Sequence, residues 1–466
     1  MRAGRPGPAL LFLLAGLLAA ALPPGSPAGP VPALEAEPEV SKFLTLDNGL
    51  RVFLMEQRRL PLVNISVAAD CGSKDETERT SGLAHLLEHS ALFRGTATRT
   101  GAEISRQVRS HGAYFNARTG QDLIQFETSL PAAAAEFGLA NLKDILFDLR
   151  LSPEEVETER AVILKELNLI ADDPVRRAAG IVFEKLFGSH PYALPLQGKS
   201  ESLARLTAED VQTFARTYFV PANMSLALVG DMSLAEMESL VRKVFGPTPA
   251  RAFSRPVIPL AVQPPEDVDI TLEMDVAKAY CLIGMLGPDY NHSDQYAVEM
   301  LTQVLGRGVN PMLKAALRGT RDLAETVSMS YSAMARGGLI LLTLTLDPKN
   351  LAPAKRETLR YLRSARGLNF SPDDVRGEEQ FFAFDFLGSA KNQIRFQLFR
   401  GQERGLNVAS SLARYLLLQE GSQDRNYLKS IEKLSSSDLR QAAARYLGGG
   451  RKVVVSVVPR AKDKKT

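Results

Sequence analysis

GLAHLLEHSALF, residues 82–93, combines an apolar helical periodicity with two histidines and a glutamate, His85, Glu88 and His89. Positions four apart lie on one face of a helix, with their Cβ atoms about 5–6 Å apart. The two imidazoles can therefore converge on one metal ion, and Glu88 can reach a water on that ion without occupying a ligand position. This H-x-x-E-H order, the inversion of H-E-x-x-H, predicts a helix that carries a metal-dependent hydrolytic site.

The third metal ligand must come from another segment, because a catalytic zinc ion takes three protein ligands and keeps one position open. We favour PEEVETERAVILKELNLI, residues 153–170, where Glu159 and Glu166 are two helical turns apart and share one face among apolar neighbours. An unpaired charge on the buried side of a helix is costly, so these acids need a partner. The other histidines remain open as alternatives: His111, His190 and His292.

Strands and helices alternate around these two segments. LRVFLMEQ and LVNISVAAD, between residues 50 and 70, have the alternation of two strands separated by a Pro-containing turn. The segment AYFNARTGQDLIQFETSL, residues 113–130, predicts a hairpin with Gly120 in its turn. Pro153, followed by acidic residues, marks the start of a helix. Strands and helices mixed within one unit predict an α+β fold.

Two similar segments indicate an internal duplication. LTAEDVQTFARTYF begins at Leu206 and LSSSDLRQAAARYL at Leu434, at an offset of 434 − 206 = 228 residues, and each precedes an apolar strand. A proline-rich stretch between the halves predicts a linker. We therefore predict five segments: a signal peptide at 1–28, a flexible leader at 29–40, a metal-binding domain at 41–246, the linker at 247–266, and a homologous domain at 267–460.

The N-terminal segment has the pattern of a secretory signal. Arg2 and Arg5 precede an apolar run over residues 9–22, and small residues follow it. The run is short for a membrane span, although an uncleaved anchor is the alternative. No second long apolar run exists, so we expect no membrane span after cleavage. We predict an exported protein, with a bacterial periplasm as the first expectation and secretion as the second.

Composition excludes several other classes of protein. The 466 residues are 45% hydrophobic and carry 56 basic against 53 acidic side chains. A nucleic-acid-binding protein normally has a larger basic excess or a basic stripe. Only two cysteines occur, Cys71 and Cys281, so neither a disulfide framework nor a cysteine-based zinc module is expected. We interpret both as small core residues.

Several motifs together resemble those of the pitrilysin-type zinc metallopeptidases, the inverzincin family that includes insulin-degrading enzyme and the β subunit of mitochondrial processing peptidase. The resemblance covers about residues 46–458. It rests on NGLRVFL, GLAHLLEHSALFRGT, GAYFNARTGQD, ERAVILKELN, HPYALPLQGKSESL and a P-x-N strand that ends in Gly230-Asp231. The resemblance implies two duplicated mixed α/β sandwich domains, each a mainly antiparallel sheet packed with helices, which together form half of a clamshell.

The resemblance also implies a role for each matching residue. His85, His89 and Glu166 would hold one zinc ion per chain, and Glu88 would act as the general base of peptide hydrolysis. Glu159 would be a supporting acid. Two further residues, Asn116 and Ala117, match an edge strand that pairs with the extended backbone of a peptide substrate.

The sequence departs from the family pattern in two places. HSALFRGT has one more residue than usual between His89 and Gly95, which changes the wall of the site. In the second half, Arg318 matches a substrate-binding arginine, but Glu325 stands where the family has a tyrosine, and Tyr331 is six residues later. We therefore expect a homologous zinc-free subunit that supplies the arginine and tyrosine pair, with a homodimer as the second possibility. A non-catalytic structural subunit is the alternative to a peptidase.

Overall fold

The part of the chain that the structure describes, in a computed structural model, comprises residues 40–255, 257–319, 322–375, 379–380, 383–418 and 427–460. The segment predicted as a signal peptide, residues 1–28, lies outside the described residues, as does all but the last residue of the predicted leader. Residues 40–246 are described without a gap. They form six strands, β1 (Ser41–Thr45), β2 (Arg51–Glu56), β3 (Leu62–Ala69), β4 (Tyr114–Thr119), β5 (Ile124–Pro131) and β6 (Met224–Gly230).

Eight helices accompany these strands: α1 (Leu83–Phe93), α2 (Gly101–Ser110), α3 (Ala135–Phe147), α4 (Pro153–Asp172), α5 (Pro174–Phe187), α6 (Ser200–Leu203), α7 (Ala208–Tyr218) and α8 (Leu234–Phe245). The strands form one sheet in the order β1-β2-β6-β3-β5-β4. Only the β2–β6 pair is parallel. The strand β4 lies at an edge of this sheet and pairs on one side with β5, and no other described strand pairs with its outer side.

The described residues after 266 form a second sheet. Its strands are β7 (Val268–Met274), β8 (Ala279–Gly287), β9 (Thr326–Met334), β10 (Gly337–Leu346) and β11 (Lys452–Pro459), in the order β7-β11-β8-β10-β9. The helices in this part are α9 (Gln295–Thr302), α10 (Met312–Arg318), α11 (Leu351–Ser364), α12 (Phe386–Gln402), α13 (Gly405–Leu418), α14 (Tyr427–Lys433) and α15 (Ser436–Ala442).

The two sheets have the same strand order once β1 is set aside. The strands β2 to β6 correspond one by one to β7 to β11, and the β7–β11 pair is parallel like the β2–β6 pair. The helices before the two last strands also begin alike, because Thr207 with Asp210 and Ser435 with Asp438 both form capping boxes. The predicted α+β fold with two duplicated, mainly antiparallel sheets is confirmed.

Each sheet is covered on one face by a helix from the other half of the sequence. The helix α13 packs against the first sheet through Ala409 and Ala413, which contact Phe53, Ala68 and Val229. The helix α5 packs in the same way against the second sheet, where Ala178, Val182 and Leu186 join a cluster with strands β8, β10 and β11. Residues from both halves of the sequence therefore pack together on one face of each sheet.

The segment predicted as a linker, residues 247–266, forms neither helix nor strand in its described part. It is held against the first sheet by Arg255, whose Nη1 donates to Asp70 Oδ1 at 3.1 Å and whose Nη2 donates to Asn223 Oδ1 at 3.2 Å. The predicted boundaries of the domains remain predictions. Both cysteines are buried and free, as their interpretation as core residues requires. Among the described helices, none has the length and apolar character that crossing a membrane requires.

Candidate metal centre

The helix α1 is buried along most of its length, and its N-terminus is held by a buried acid. Gly82 precedes the helix with φ at +95°, in the left-handed region that favours glycine, and a Cβ there would lie 2.8 Å from Gly198 Cα. The Glu76 carboxylate accepts from the backbone N–H groups of Gly82 and Ala84 at 2.8 and 2.7 Å. Burial raises the pKa of Glu76 to about 8. These contacts fix the start of the helix that carries the histidines.

The structure brings together His85 and His89 of α1 and Glu166 of α4. The two imidazole rings lie 4.7 Å apart between centroids, at 85° to each other. The Nε2 atoms of His85 and His89 each lie 3.8 Å from a different oxygen of the Glu166 carboxylate. One ligand atom from each residue lies within 4.8 Å of the other two, and no other such group of three occurs among the described residues.

This set of atoms fits a catalytic zinc site. Zinc binds imidazole nitrogen at roughly 2.0–2.1 Å and carboxylate oxygen at about 2.0–2.2 Å, so two atoms on one ion are at most about 4.3 Å apart. The 3.8 Å separations between His85 or His89 and Glu166 are within that limit. The side chain of Glu166 is 39% exposed, which leaves the site open to solvent. Two imidazoles and one carboxylate with an open side are a ligand set typical of zinc hydrolases.

Behind the ligands, Glu159 and Arg94 form a charged support for His89. The Nδ1 atom of His89 lies 3.1 Å from Glu159 Oε2, and Arg94 pairs with the other oxygen of the same carboxylate. Burial acts to raise the pKa of Glu159, but the hydrogen bond with His89 and the charge of Arg94 outweigh it and the pKa is lowered. A carboxylate on the far nitrogen of a metal-binding histidine fixes its tautomer and orientation.

Arg94 was not identified from the sequence, although it belongs to the segment with the extra residue. The helix α1 continues through Phe93 and ends at Arg94, which has extended backbone and donates its N–H to Ser90. The insertion is therefore absorbed at the end of the helix. The extra residue between His89 and Gly95 was the one signal in the sequence that this segment differs, but nothing in the sequence indicated that Arg94 would contact Glu159.

Glu88 lies on α1 between the two histidines, one position from His89, and its side chain is buried. Burial raises the pKa of Glu88, and hydrogen bonding from Thr119 at the end of β4 acts in the opposite direction. A glutamate with a raised pKa is suited to accept a proton and give it up again near neutral pH. The structure places this acid beside the three candidate ligands.

The two histidines differ in their electrostatic environment. Burial and the neighbouring His89 lower the pKa of His85 to about 3, so its ring is neutral, which is the form that binds a metal. For His89, burial lowers the pKa, but the hydrogen bond with Glu159 and the charge of Glu166 prevail and raise it. A cation beside Glu166 would replace the proton that this acidic environment favours on His89.

The three alternative histidines are not part of this group. His111 stacks on Phe137 with 3.9 Å between ring centroids. The Nε2 atom of His190 lies 2.9 Å from the Pro259 carbonyl oxygen. His292 follows β8 and is exposed. Of the candidates for a third ligand, Glu166 is the one whose ligand atom lies close to those of His85 and His89, and its role as a metal ligand remains a prediction.

The predicted substrate-binding residues have different positions. Asn116 and Ala117 lie on the edge strand β4, opposite Glu127 and Phe126 of β5, and Thr119 of the same strand lies near Glu88. Arg318 is the last residue of α10 and is exposed. Whether any of these binds a substrate remains a prediction.

The position that the family pattern assigns to a tyrosine holds an ion pair instead. Glu325 is exposed and pairs with Lys278. Tyr331 lies on β9, and its hydroxyl donates to the Pro288 carbonyl oxygen at 2.8 Å. Glu325 and Tyr331, the two side chains considered for the place of the family tyrosine, therefore both have partners within this chain.

Known proteins resemble this chain over most of its length. Residues 51–200 match the family model described as insulinase (peptidase family M16), and residues 205–379 match the model described as peptidase M16 inactive domain. An uncharacterized zinc protease of Mycobacterium tuberculosis is 27% identical over 430 residues, which cover 91% of this chain and 94% of that protein. The mitochondrial-processing peptidase subunit beta of Caenorhabditis elegans is 27% identical over 296 residues, 62% of this chain and 64% of that protein.

A solved structure has the same fold. The crystal structure of a protease from Helicobacter pylori superposes with a TM-score of 0.80 at 22% sequence identity and covers 90% of this chain and 100% of that chain. At this identity the likeness is evidence for the fold alone.

Proposed function

The chain belongs to peptidase family M16, and from that premise we propose that it is an exported zinc metalloendopeptidase that hydrolyses peptides or unfolded segments. One observation carries the proposal. His85 and His89 of α1, the helix that also carries Glu88, lie close to the carboxylate of Glu166 on α4. A scaffold protein of the same fold would need none of these four side chains. One zinc ion per chain is part of the proposal.

A zinc ion at this site would polarise the scissile carbonyl and lower the pKa of its water to roughly 7. The chain's own contribution begins with Glu88, whose carboxylate takes the proton of the attacking water and delivers it to the leaving amine. Glu159 and Arg94 hold His89 in the orientation that its Nε2 needs. These residues supply proton transfer and preorganisation.

The edge strand β4 is the proposed binding element for the peptide backbone. Its outer side has no partner strand in the described sheet, and Asn116 and Ala117 lie in its middle. An extended peptide that adds to this edge would lie beside Thr119 and Glu88. Backbone pairing of this kind does not depend on side chains, which suits a peptidase of broad specificity.

A second subunit is the remaining part of the proposal. Residue 325 is a glutamate, so this chain does not offer an arginine and tyrosine pair at the family spacing. Glu325 is itself paired with Lys278. We propose a homologous zinc-free partner that supplies the pair, with a homodimer as the second candidate. Export to a bacterial periplasm rests on the N-terminal sequence pattern.

Glu88→Gln tests the catalytic proposal. The variant should retain one zinc per chain, because Glu88 is not a ligand, and should lose on the order of 10²–10⁴-fold in the rate of peptide hydrolysis. Zinc content by atomic emission and cleavage of a fluorogenic peptide library are the measurements. A wild-type chain that binds no zinc would favour the structural-subunit alternative. Full activity of the purified monomer would exclude the need for a partner.

A further inference from the structure

A second concave site is lined by none of the candidate metal ligands. It is a cavity of about 410 Å³ between β9, α9 and α13, and its wall is rich in tyrosine. A cavity of this size can hold one or two residues of a peptide. Its residues that matter here are Tyr290, Glu299, Tyr331, Ser411 and Arg414.

Arg414 is the unusual member of this wall. Its guanidinium carbon lies 4.9 Å from the centroid of the Tyr290 ring, which holds the planar group over the aromatic face. It forms neither an ion pair nor a hydrogen bond within the described part of the chain. The side chain is accessible to solvent although protein surrounds it on most sides, and this partial desolvation lowers the pKa of Arg414.

Tyr290 adds an unused hydrogen-bonding group. Its hydroxyl is buried and has no hydrogen-bond partner among the described residues, whereas its backbone N–H donates to the Met334 carbonyl oxygen at 3.1 Å. Because its backbone is anchored at the end of β9, the ring under Arg414 is held in place. A buried hydroxyl without a partner is uncommon in proteins, and it indicates a group that is absent from the free chain.

The acid in the cavity does not neutralise Arg414. Glu299 Oε1 accepts from the Tyr427 hydroxyl at 2.8 Å, and burial raises the pKa of Glu299. A carboxyl held in this way carries its negative charge less readily. The charge of Asp122 also acts on Arg414, but its carboxylate oxygens accept from the Tyr192 hydroxyl and the Ala335 N–H. The guanidinium of Arg414 therefore keeps donors without an acceptor among the described residues, an arrangement that favours a ligand with a carboxylate.

Two hydrogen bonds link elements that line the cavity to the segment around the proposed substrate strand. Ser410 precedes Ser411 on α13, and its hydroxyl donates to Glu127, the carboxylate that pairs with Arg118 of β4. From the other side, the N–H of Ala335, which follows β9, donates to Asp122 in the turn after β4 at 2.9 Å. Alternate side chains of a peptide added to β4 would point to the face where α13 lies.

We propose that the cavity around Arg414 is a substrate subsite for a carboxylate of the bound peptide, with Arg414 and the Tyr290 hydroxyl as its donors. This inference rests on the proposed peptidase function. The carboxylate can come from an aspartate or glutamate side chain or from the C-terminus of the peptide.

The test separates binding from hydrolysis. The zinc-loaded Glu88→Gln variant is titrated with three forms of one fluorescent peptide, and Kd is measured by anisotropy. The forms are a neutral peptide with an amidated C-terminus, the same peptide with a free C-terminus, and the amidated peptide with a single glutamate placed at successive positions. We expect at least one carboxylate form to bind roughly 10-fold more tightly than the neutral form, and the form that does so identifies the source.

Substitutions assign the preference to the cavity. Arg414→Gln in the Glu88→Gln background should reduce the preference to within twofold, and Tyr290→Phe, which keeps the ring, should reduce it about threefold. Arg400→Gln, an exposed arginine on α12, is the matched control and should leave it intact. Equal Kd values for the neutral form and all carboxylate forms, or a preference that survives Arg414→Gln, would overturn the inference.

The same peptides given to the wild-type chain distinguish the two proposals. Hydrolysis with no preference for a carboxylate would overturn the subsite and leave the peptidase intact. Binding that depends on Arg414 without any hydrolysis would support the cavity and overturn the peptidase. Size-exclusion chromatography completes the test, because a changed assembly of Arg414→Gln with unchanged peptide preference would assign Arg414 to a subunit contact and overturn the subsite.

Discussion

The helices α1 and α9 occupy corresponding places in the two halves, because α1 follows β3 and α9 follows β8, the equivalent strand of the second sheet. The two helices differ in chemistry. In α1, His85 and His89 approach an acid from α4. In α9, the acid Glu299 is bonded to Tyr427 and no histidine accompanies it. Burial raises the pKa of Glu299 just as it raises that of Glu88. The fold thus has a buried acid on both helices, whereas the pair of histidines beside an acid of another helix is found on α1 and not on α9.

The largest expected effect tests whether the metal set belongs to the first half alone. His89→Ala should abolish stoichiometric zinc binding and lower hydrolysis by on the order of 10³-fold or more, because one of three ligands is lost. His292→Ala, which removes the exposed histidine of the second half, is the matched control and should keep its zinc. Zinc retained at one equivalent by His89→Ala would contradict the assignment.

Removal of the charged support behind His89 should have an intermediate effect. Arg94→Ala and Glu159→Gln should each weaken zinc binding by about 10–100-fold, because the orientation of His89 is no longer fixed. Competition with a chromophoric chelator measures the affinity, and Arg109→Ala on the exposed side of α2 serves as the control. If the affinity of both variants equals that of the wild type, the carboxylate does not support the ligand.

The acid under α1 should make stability depend on pH. The pKa of Glu76 is raised to about 8 in the folded chain, so the folded state holds this proton more tightly than the unfolded state. The free energy of unfolding should therefore fall as pH rises from about 4.5 to about 8. Glu76→Gln should remove part of that fall, on the order of 1–2 kcal/mol.

Urea unfolding in a chelator at several pH values, wild type against Glu76→Gln, gives the comparison. Parallel curves for the two proteins across this range would show that Glu76 is not the titrating group. The chelator is needed because zinc binding would add its own dependence on pH.

The smallest expected effect concerns the capping box that begins the last helix before the final strand in each half. Thr207→Ala and Ser435→Ala remove equivalent helix caps, so each should lower the free energy of unfolding by about 1 kcal/mol. Thermal and urea unfolding give both values. A large loss in one variant with none in the other would mean that the two capping boxes are not equivalent.

The sequence predicted the fold and the grouping of the two histidines for a physical reason. Periodicities of helix and strand are local, so the hairpin around Gly120 and the helix starting at Pro153 were predicted correctly. The pair at positions 85 and 89 is also local, since one helix face brings the two rings together. The choice of Glu166 over Glu159 as the third ligand depended on the family resemblance, and the order of the strands was not predicted.

Contacts between distant segments were beyond the sequence. Nothing in α13 indicated that it would cover the first sheet, because its apolar face would suit any sheet. The pairing of Arg94 with Glu159 joins positions 65 residues apart, and 159 − 94 = 65 is not a distance that a local pattern encodes. The carboxylate preference of the cavity at Arg414 follows from what that side chain lacks, which only a three-dimensional arrangement reveals.

The cover that α13 gives to the first sheet sets an order of events during translation. The strand β6 ends at Gly230 and α13 begins at Gly405, so the ribosome must add 405 − 230 = 175 residues after the first sheet is complete before its covering helix exists. At about 5–20 residues per second, this takes roughly 9–35 s. During that interval Phe53, Ala68 and Val229 lack the helix that covers them in the folded chain, so we expect this face of the nascent first half to be a site for chaperone binding.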